Sequence, residues 1–496
     1  MKTSASRTLV QLAALALNLS ISTQFMSRQL PAQSEFDAPA VAPFDAPEEL
    51  NAGWEFRRDN RDTWKSVAIP STFESHEGVR FDGIGHYRID LKKHLLSKPA
   101  DPSKRLVLRF EGAETRATVR CNGLILAQHL GGWTPFECDL TEPFCEPSAK
   151  TCELLVEVDE LVGHNSQGFL PVFAPHFGGL WKPVQARWTS PLAIDSKQLF
   201  VWGHLPSRTL HYEIPIGGLN PTALGAFVDP TKSYLVCLNY RLTGSGTSAW
   251  NNHCIALSEP QVQELRRNSR LVLEGSLEVP DPVAWDVDQP HRYDVEIGIQ
   301  EISPNHPPNL EPTPLIDRIE TQAAFREIRH EGSALILNGK PLVVRGVLNW
   351  GYAPPSLAPS LDPEHWRKEL QTVKDLGFNL MKFCLWVPPK GYLEMADAMG
   401  VLVWIEYPTW HSQWTQEALP TLEKEFDEFF CYDRNHPSVI LRSLTCETGP
   451  SADLEVLRKL YDRCHSRIPG SIVEDDSSWI QWNRIHDFYE GSLANP

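Results

Sequence analysis

Residues 362–386 read DPEHWRKELQTVKDLGFNLMKFCLW, and this stretch decides the fold class of the C-terminal third. Asp362 is a helix N-cap residue, and Pro363 suits the first helical turn, where its missing N–H has no partner to lose. Trp366, Leu370, Val373 and Leu376 recur at helical spacing, and Gly377 stops the helix. Asn379 to Trp386 then reads as an apolar strand. Working outward, the alternation repeats. Leu342 to Val347 is a continuous apolar strand on the upstream side. Downstream come helix Gly391–Met399, strand Val401–Ile405, helix Leu419–Tyr432, strand Val439–Leu444, helix Ala452–His465 and strand Ser471–Glu474. Ile485 to Tyr489 reads as a sixth strand. Apolar strands between amphipathic helices indicate a parallel barrel or a doubly wound sheet, since such strands are covered on both faces. No Gly-x-Gly-x-x-Gly follows a strand, which disfavours a dinucleotide fold.

The chain ahead of Leu335 has a different texture. From about Glu48 to Ser190 it carries short, partly alternating apolar runs, such as Leu106–Phe110 and Cys152–Val158. Asn122-Gly123, Gly131-Gly132 and Gly178-Gly179 supply turns between them. That pattern predicts a β-sandwich or jelly roll. From Leu192 to Ile328 a second set of strands follows, including Tyr234–Arg241, Leu271–Val279 and Tyr293–Ile299, with a Pro-rich loop at Ser303–Pro314. A run of this length and pattern fits an immunoglobulin-like sandwich.

Composition narrows the function. The 496 residues carry 63 Asp and Glu against 46 Lys and Arg, a formal charge of −17, which disfavours nucleic acid and anionic membrane surfaces as partners. Sixteen Trp supply rings that either fill sheet cores or stack on sugars. Lys2 and Arg7 precede an apolar run from Leu9 to Leu19, with Ser20-Ile21-Ser22 offering small residues for cleavage. This predicts an export signal over residues 1–22 and a secreted or periplasmic protein. The run is shorter than the ~20 residues that span a bilayer, and no later segment suits a membrane span. Residues 23–47 are rich in Pro, Ala and Ser and read as a linker. None of the ten Cys forms a Cys-x-x-Cys pair, and no His-Glu-x-x-His is present, so no metal or cofactor is expected. In an oxidising compartment some cysteines could pair, for example among Cys121, Cys138, Cys145 and Cys152.

In a parallel barrel the chemistry sits at the C-terminal ends of the strands. Those ends carry Asn349 and Trp350, then Trp386, then Glu406, Tyr407, Trp410 and His411. Further on come Thr445, Cys446 and Glu447, then Glu474, Asp475 and Asp476, and last His486, Asp487 and Tyr489. Carboxylates and aromatic rings on one rim suit a sugar: rings stack on pyranose C–H faces, and carboxyls protonate or attack at the anomeric carbon.

The segment Arg434-Asn435-His436-Pro437-Ser438-Val439-Ile440-Leu441-Arg442-Ser443-Leu444-Thr445-Cys446-Glu447 resembles the fourth-strand signature of glycoside hydrolase family 2. Leu337-Asn338-Gly339-Lys340-Pro341 with Arg345-Gly346-Val347 resembles the family's lead-in to the barrel. Asp375-Leu376-Gly377-Phe378-Asn379 resembles its first helix-to-strand turn. Phe110-Glu111-Gly112-Ala113, Asn122-Gly123, Gly132-Trp133-Thr134-Pro135-Phe136 and Gly178-Gly179-Leu180-Trp181 resemble its N-terminal sugar-binding jelly roll. The resemblance implies a sugar-binding jelly roll over 48–191, an immunoglobulin-like sandwich over 192–330 and a partial (β/α)8 TIM barrel over 331–496.

It also implies a retaining hydrolase of β-linked oligo- or polysaccharides. Glu447 would be the acid/base, and Trp386, Glu406, Trp410, His411, Cys446 and Tyr489 would line the sugar site. Cys446 stands where the family carries the Asn that hydrogen-bonds the sugar 2-hydroxyl. The 163 residues from Ala334 fall short of a whole barrel of ~250. The family's nucleophile, at the end of strand seven, therefore has no counterpart, and Glu406, Asp476 and Glu490 are nearest to it in chemistry. The alternative expectation is a catalytically inactive carbohydrate-binding protein or truncated gene product. A homo-oligomer, or a partner completing the barrel, stays open.

Overall fold

The computed structural model describes residues 47–59, 61, 63–95, 101–160, 176–246, 249–302, 315–353, 356–410, 412–448 and 452–477. The expected export signal, most of the linker, the expected sixth strand, His411, Tyr489 and Glu490 lie outside the described residues.

The first third forms two antiparallel sheets. One pairs Glu48–Glu49, Val184–Thr189, Arg105–Phe110 and Phe136–Asp139 in that order. The other pairs Lys65–Val67, Trp54–Arg58, Ile84–Asp90, Glu153–Asp159, Arg116–Cys121 and Leu124–Leu130. Alternate residues of both sheets, among them Phe56, Tyr87, Leu108, Phe110, Val119 and Val156, share one buried core. Period-two patterning gives each strand one apolar face, and two such faces bury each other. The second third repeats the arrangement. Thr209–Gly217 sits among Ala193–Ile194, Phe200–His204 and Arg270–Glu278, opposite a sheet of Asn251–Ala256, Ser233–Leu242, Tyr293–Ile302 and Leu315–Ala323.

Cys121, Cys138, Cys145 and Cys152 are thiols. The disulfide joins Cys237 and Cys254, which face each other across two antiparallel strands.

The last third is parallel. Its strands and helices alternate as β1 (Gly346–Asn349), α1 (Pro363–Asp375), β2 (Leu380–Cys384), α2 (Lys390–Met399), β3 (Leu402–Glu406), α3 (Leu419–Asp433), β4 (Val439–Cys446), α4 (Leu454–Arg467) and β5 (Ile472–Ser477). The sheet order is β1-β2-β3-β4-β5, with every neighbouring pair parallel. Asp362 caps α1 by accepting the Glu364 N–H at 3.0 Å.

One expected strand divides in two. Lys340–Leu342 closes a small antiparallel sheet with Ile328–Glu331 and Ala334–Leu337, and the parallel strand begins only at Gly346. The cause is Asn379: its Oδ1 accepts the Arg345 N–H at 2.8 Å, and its Nδ2 donates to the Val343 carbonyl at 2.9 Å. A side-chain amide thus takes the place of a strand partner across residues 343–345. Leu335 and Leu337 of the small sheet join Leu380, Leu402, Trp404, Leu441 and Ile472 in one cluster, which plugs the lower end of the parallel sheet's concave face.

The segment Arg434–Ser438 is a docking device. Arg434 pairs with Glu213 at 3.0 Å, and its guanidinium lies 4.5 Å from the Phe200 ring. Asn435 donates to the Leu199 carbonyl at 2.7 Å and accepts the Val201 N–H at 3.0 Å, so both residues tie the parallel domain to the second sandwich. His436 Nδ1 and the Ser438 N–H both meet the Asp397 carboxylate, at 2.6 and 2.9 Å.

The first sandwich docks through its aromatic motifs. Trp133 and Trp181, 0% and 2% exposed, lie in one core cluster with Phe177 and the helices of the parallel domain. His129 Nε2 and Thr134 Oγ1 reach Glu428 on α3 at 2.9 and 2.8 Å. These two tryptophans, in motifs that resemble a sugar-binding domain, therefore have no face for a sugar. They are packing groups between domains.

Candidate active site

Strand β4 is buried along its whole length, and its last residue leads into Glu447, which is exposed. The strand is held from behind. Arg442 Nε and Nη2 donate to Asp433 Oδ1 at 2.9 and 2.7 Å, and the Tyr407 hydroxyl donates to Asp433 Oδ2 at 2.6 Å. An ion pair this buried contributes little net stability, but removing either partner strands a charge, so it fixes α3 against β4.

Glu447 has φ +51°, the left-handed region that non-glycine residues seldom adopt. The turn is pinned from β5: Asp476 Oδ1 accepts Thr445 Oγ1 at 2.7 Å and the Thr448 N–H at 3.0 Å. Leu385, just past β2, has φ +60° and packs on Cys446. Unfavourable backbone persists only where neighbours over-determine it, and such positions gather at functional sites. The Glu447 carboxylate is itself oriented, because Trp410 Nε1 donates to its Oε2 at 2.9 Å.

Below Glu447 the concave face carries a polar network. A register shift between Val403 and Trp404 sets Glu406 opposite Ser443. Trp404 Nε1 donates to Ser443 Oγ at 2.7 Å, which donates to Glu474 Oε2 at 2.7 Å. Lys382 lies 4.0 Å from the Trp404 ring centroid, 3.5 Å from Glu406 Oε2, and donates to Ser477 Oγ. The Cys446 thiol is hydrogen-bonded to Glu406. Burial first, and then the carboxylates of Glu406, Glu447 and Asp476, push that thiol far above the ordinary thiol range, so it stays protonated and is no nucleophile.

Of the residues expected to line the site, the structure brings together Glu406, Trp410, Cys446 and Glu447, with Asp476 beside them. Trp386 is set apart: it is 2% exposed, packs edge-on against Phe383, and donates to the Asn349 carbonyl at 2.9 Å. Its expected role as a sugar-lining ring is corrected to that of a core residue. His411 and Tyr489 lie outside the described residues. Lys382, Trp404 and Ser443 were not anticipated. A lone Lys inside the apolar run Leu380–Cys384 was the available signal, because such a charge needs an acidic partner. Among the described residues, no group of three or more His, Cys, Asp or Glu side chains is set to hold a metal ion, and no helix is long and apolar enough to cross a membrane.

Comparison with known proteins accords with this geometry. Residues 327–477 match the TIM-barrel domain of glycosyl hydrolases family 2. A β-galactosidase of Thermoanaerobacter pseudethanolicus is 25% identical over 407 residues, covering 80% of this chain and 49% of the relative. A putative β-glucuronidase of Formosa agariphila is 24% identical over 481 residues, covering 90% and 51%. Among solved structures, a putative β-galactosidase from Bacteroides fragilis superposes with a TM-score of 0.70 at 18% identity, covering 86% of this chain and 63% of its own. A Bacteroides uniformis β-glucuronidase gives 0.68 at 21%, covering 86% and 52%. The fold is a β-rich multidomain assembly with a TIM-barrel domain, and residues 327–477 are similar to the barrel domain of glycoside hydrolase family 2. The chain spans about half the length of the curated relatives it matches.

Proposed function

We propose that this protein takes part in hydrolysis of O-glycosidic bonds in β-linked oligo- or polysaccharides, with Glu447 as the acid/base. The observation that carries this reading is the placement of Glu447. An exposed carboxyl stands at the end of β4, in a pinned left-handed turn and oriented by Trp410, above a face lined with further carboxylates. An acid/base must reach the leaving oxygen, give it a proton, and then take one from water. A retaining mechanism adds a second carboxyl ~5–5.5 Å away as nucleophile. The resemblance assigns that role to the seventh strand, and the described residues hold five strands of the barrel. Glu406 is tied to Lys382 and Cys446, and Asp476 to Thr445 and Thr448, so each described candidate already has structural partners.

The two sandwiches are read as the family's jelly roll (48–191) and immunoglobulin-like domain (192–330), and residues 1–22 as an export signal to a secreted or periplasmic location. One observation favours a second reading, carbohydrate binding without turnover. Cys446 occupies the family's Asn position, and its thiol is already engaged by Glu406, which leaves no amide for a sugar 2-hydroxyl. The test is a panel of chromogenic aryl β-glycosides on the purified protein, with Glu447→Gln as control. Turnover lost in the variant on aryl glycosides with poor leaving groups supports the hydrolase. Sugar binding without turnover in either protein supports the second reading.

A further inference from the structure

Cys121 ends one strand of the six-stranded sheet, and Cys152 immediately precedes its neighbour, Glu153–Asp159. The strands run antiparallel, with Cys121 opposite Leu154. The two sulfurs lie 3.2 Å apart, and both residues are 0% exposed within the sandwich core. Their backbones are held on three sides. The Asn122 N–H donates to the Glu153 carbonyl at 3.0 Å, and the Glu153 N–H donates to Asn122 Oδ1 at 3.0 Å. The Cys152 N–H donates to Asp90 Oδ1 at 3.1 Å. Closing the sulfur gap to a bond of ~2.0 Å asks for about 1.2 Å of sulfur movement, within reach of small side-chain rotations.

We propose that Cys121 and Cys152 form a second structural disulfide when the protein folds in an oxidising compartment. The oxidant is a low-molecular-weight or protein disulfide. One cysteine thiolate attacks it, forming a mixed disulfide and releasing the first thiolate of the oxidant. The other cysteine thiolate then displaces the second. Two protons are lost from the pair, and two electrons pass to the oxidant, which leaves as a dithiol or as two thiols. Full burial means that exchange precedes closure of the core. The bond would staple residues 31 apart in sequence at the turn end of the hairpin that Arg116–Cys121 forms with Leu124–Leu130. The latter strand is the edge of its sheet and exposes Leu124 and Ile125. The bond would hold the inner strand, Arg116–Cys121, on which that edge strand pairs.

The test refolds the full chain with excess oxidised glutathione, then alkylates free thiols in denaturant before peptide mapping. Two bridges, four of the ten cysteines, leave six alkylated. A linked Cys121–Cys152 peptide is expected. Because Cys254 is exposed, mild reductant on the folded protein should open Cys237–Cys254 first, with Cys121–Cys152 opening only in denaturant. Full alkylation of Cys121 and Cys152 under that oxidant, or linkage of Cys121 to Cys138 instead, overturns the proposal.

Discussion

Replacing Lys382 by Met tests whether the interior network holds the barrel face together. The ammonium lies 3.5 Å from Glu406 Oε2, with side-chain exposures of 11% and 4%, so solvent screens the pair weakly. At an effective dielectric of about 20, the gross attraction at that distance is about 5 kcal/mol. Much of it offsets the desolvation of the two ions, but removal of one partner leaves the other buried and unpaired, which costs about 3–5 kcal/mol. Lys382→Met also loses the contact with the Trp404 ring and the donor to Ser477. We expect Lys382→Met to destabilise the parallel domain by about 3–4 kcal/mol and Glu406→Gln by about 2–3 kcal/mol. The double variant should cost about as much as the worse single, a coupling of about 2 kcal/mol or more. In a multidomain chain the global transition mixes domains. The measurement is therefore denaturant-dependent hydrogen exchange of peptides covering β2 and β3. Single costs below about 0.5 kcal/mol that simply add in the double variant would refute the reasoning.

Four further outcomes are expected. If the protein turns over aryl glycosides, Glu447→Gln should lower the rate on poor leaving groups by about 100-fold or more, and much less on nitrophenyl substrates, as steady-state kinetics on paired substrates will read. Cys446→Asn should lose stability by about 1–3 kcal/mol from overpacking against Leu385, Trp350 and Trp410. A thermal melt checks this, and a gain in sugar affinity in the same variant would mark the position as a true 2-hydroxyl contact. Burial raises Glu74 from 4.5 to about 7 and Glu160 from 4.5 to about 9, so between those values the folded state binds more protons than the unfolded. Stability from this cluster is present below pH 4.5 and is lost as pH rises through about 7 and then about 9, so Glu74→Gln/Glu160→Gln should melt higher than wild type at pH 8 and alike at pH 4.5. Arg434→Met removes the Glu213 pair and the stack on Phe200, and limited proteolysis should then release the second sandwich from the parallel domain sooner than in wild type.

The alternation of strand and helix after Leu342, and the two β-rich segments before it, were readable from the sequence because periodicity and cap residues are local properties. Asp362, Pro363 and Gly377 mark the bounds of α1 with no help from the rest of the chain. The position of Glu447 was readable too, since a residue that ends a parallel strand must lie on the rim formed by the C-terminal ends of the strands. Tertiary structure decided the remainder. Whether a tryptophan is core or site depends on what packs over it: Trp133, Trp181 and Trp386 carry the same ring as Trp410, yet they are buried between elements far apart in sequence. The break in the apolar run before Gly346 depends on one amide, Asn379, arriving from the next strand. The partnership of Lys382 with Glu406 depends on parallel strands in register, and the meeting of Cys121 and Cys152 on an antiparallel pairing. Such contacts are set by pairing across loops, where sequence distance carries no information about distance in space.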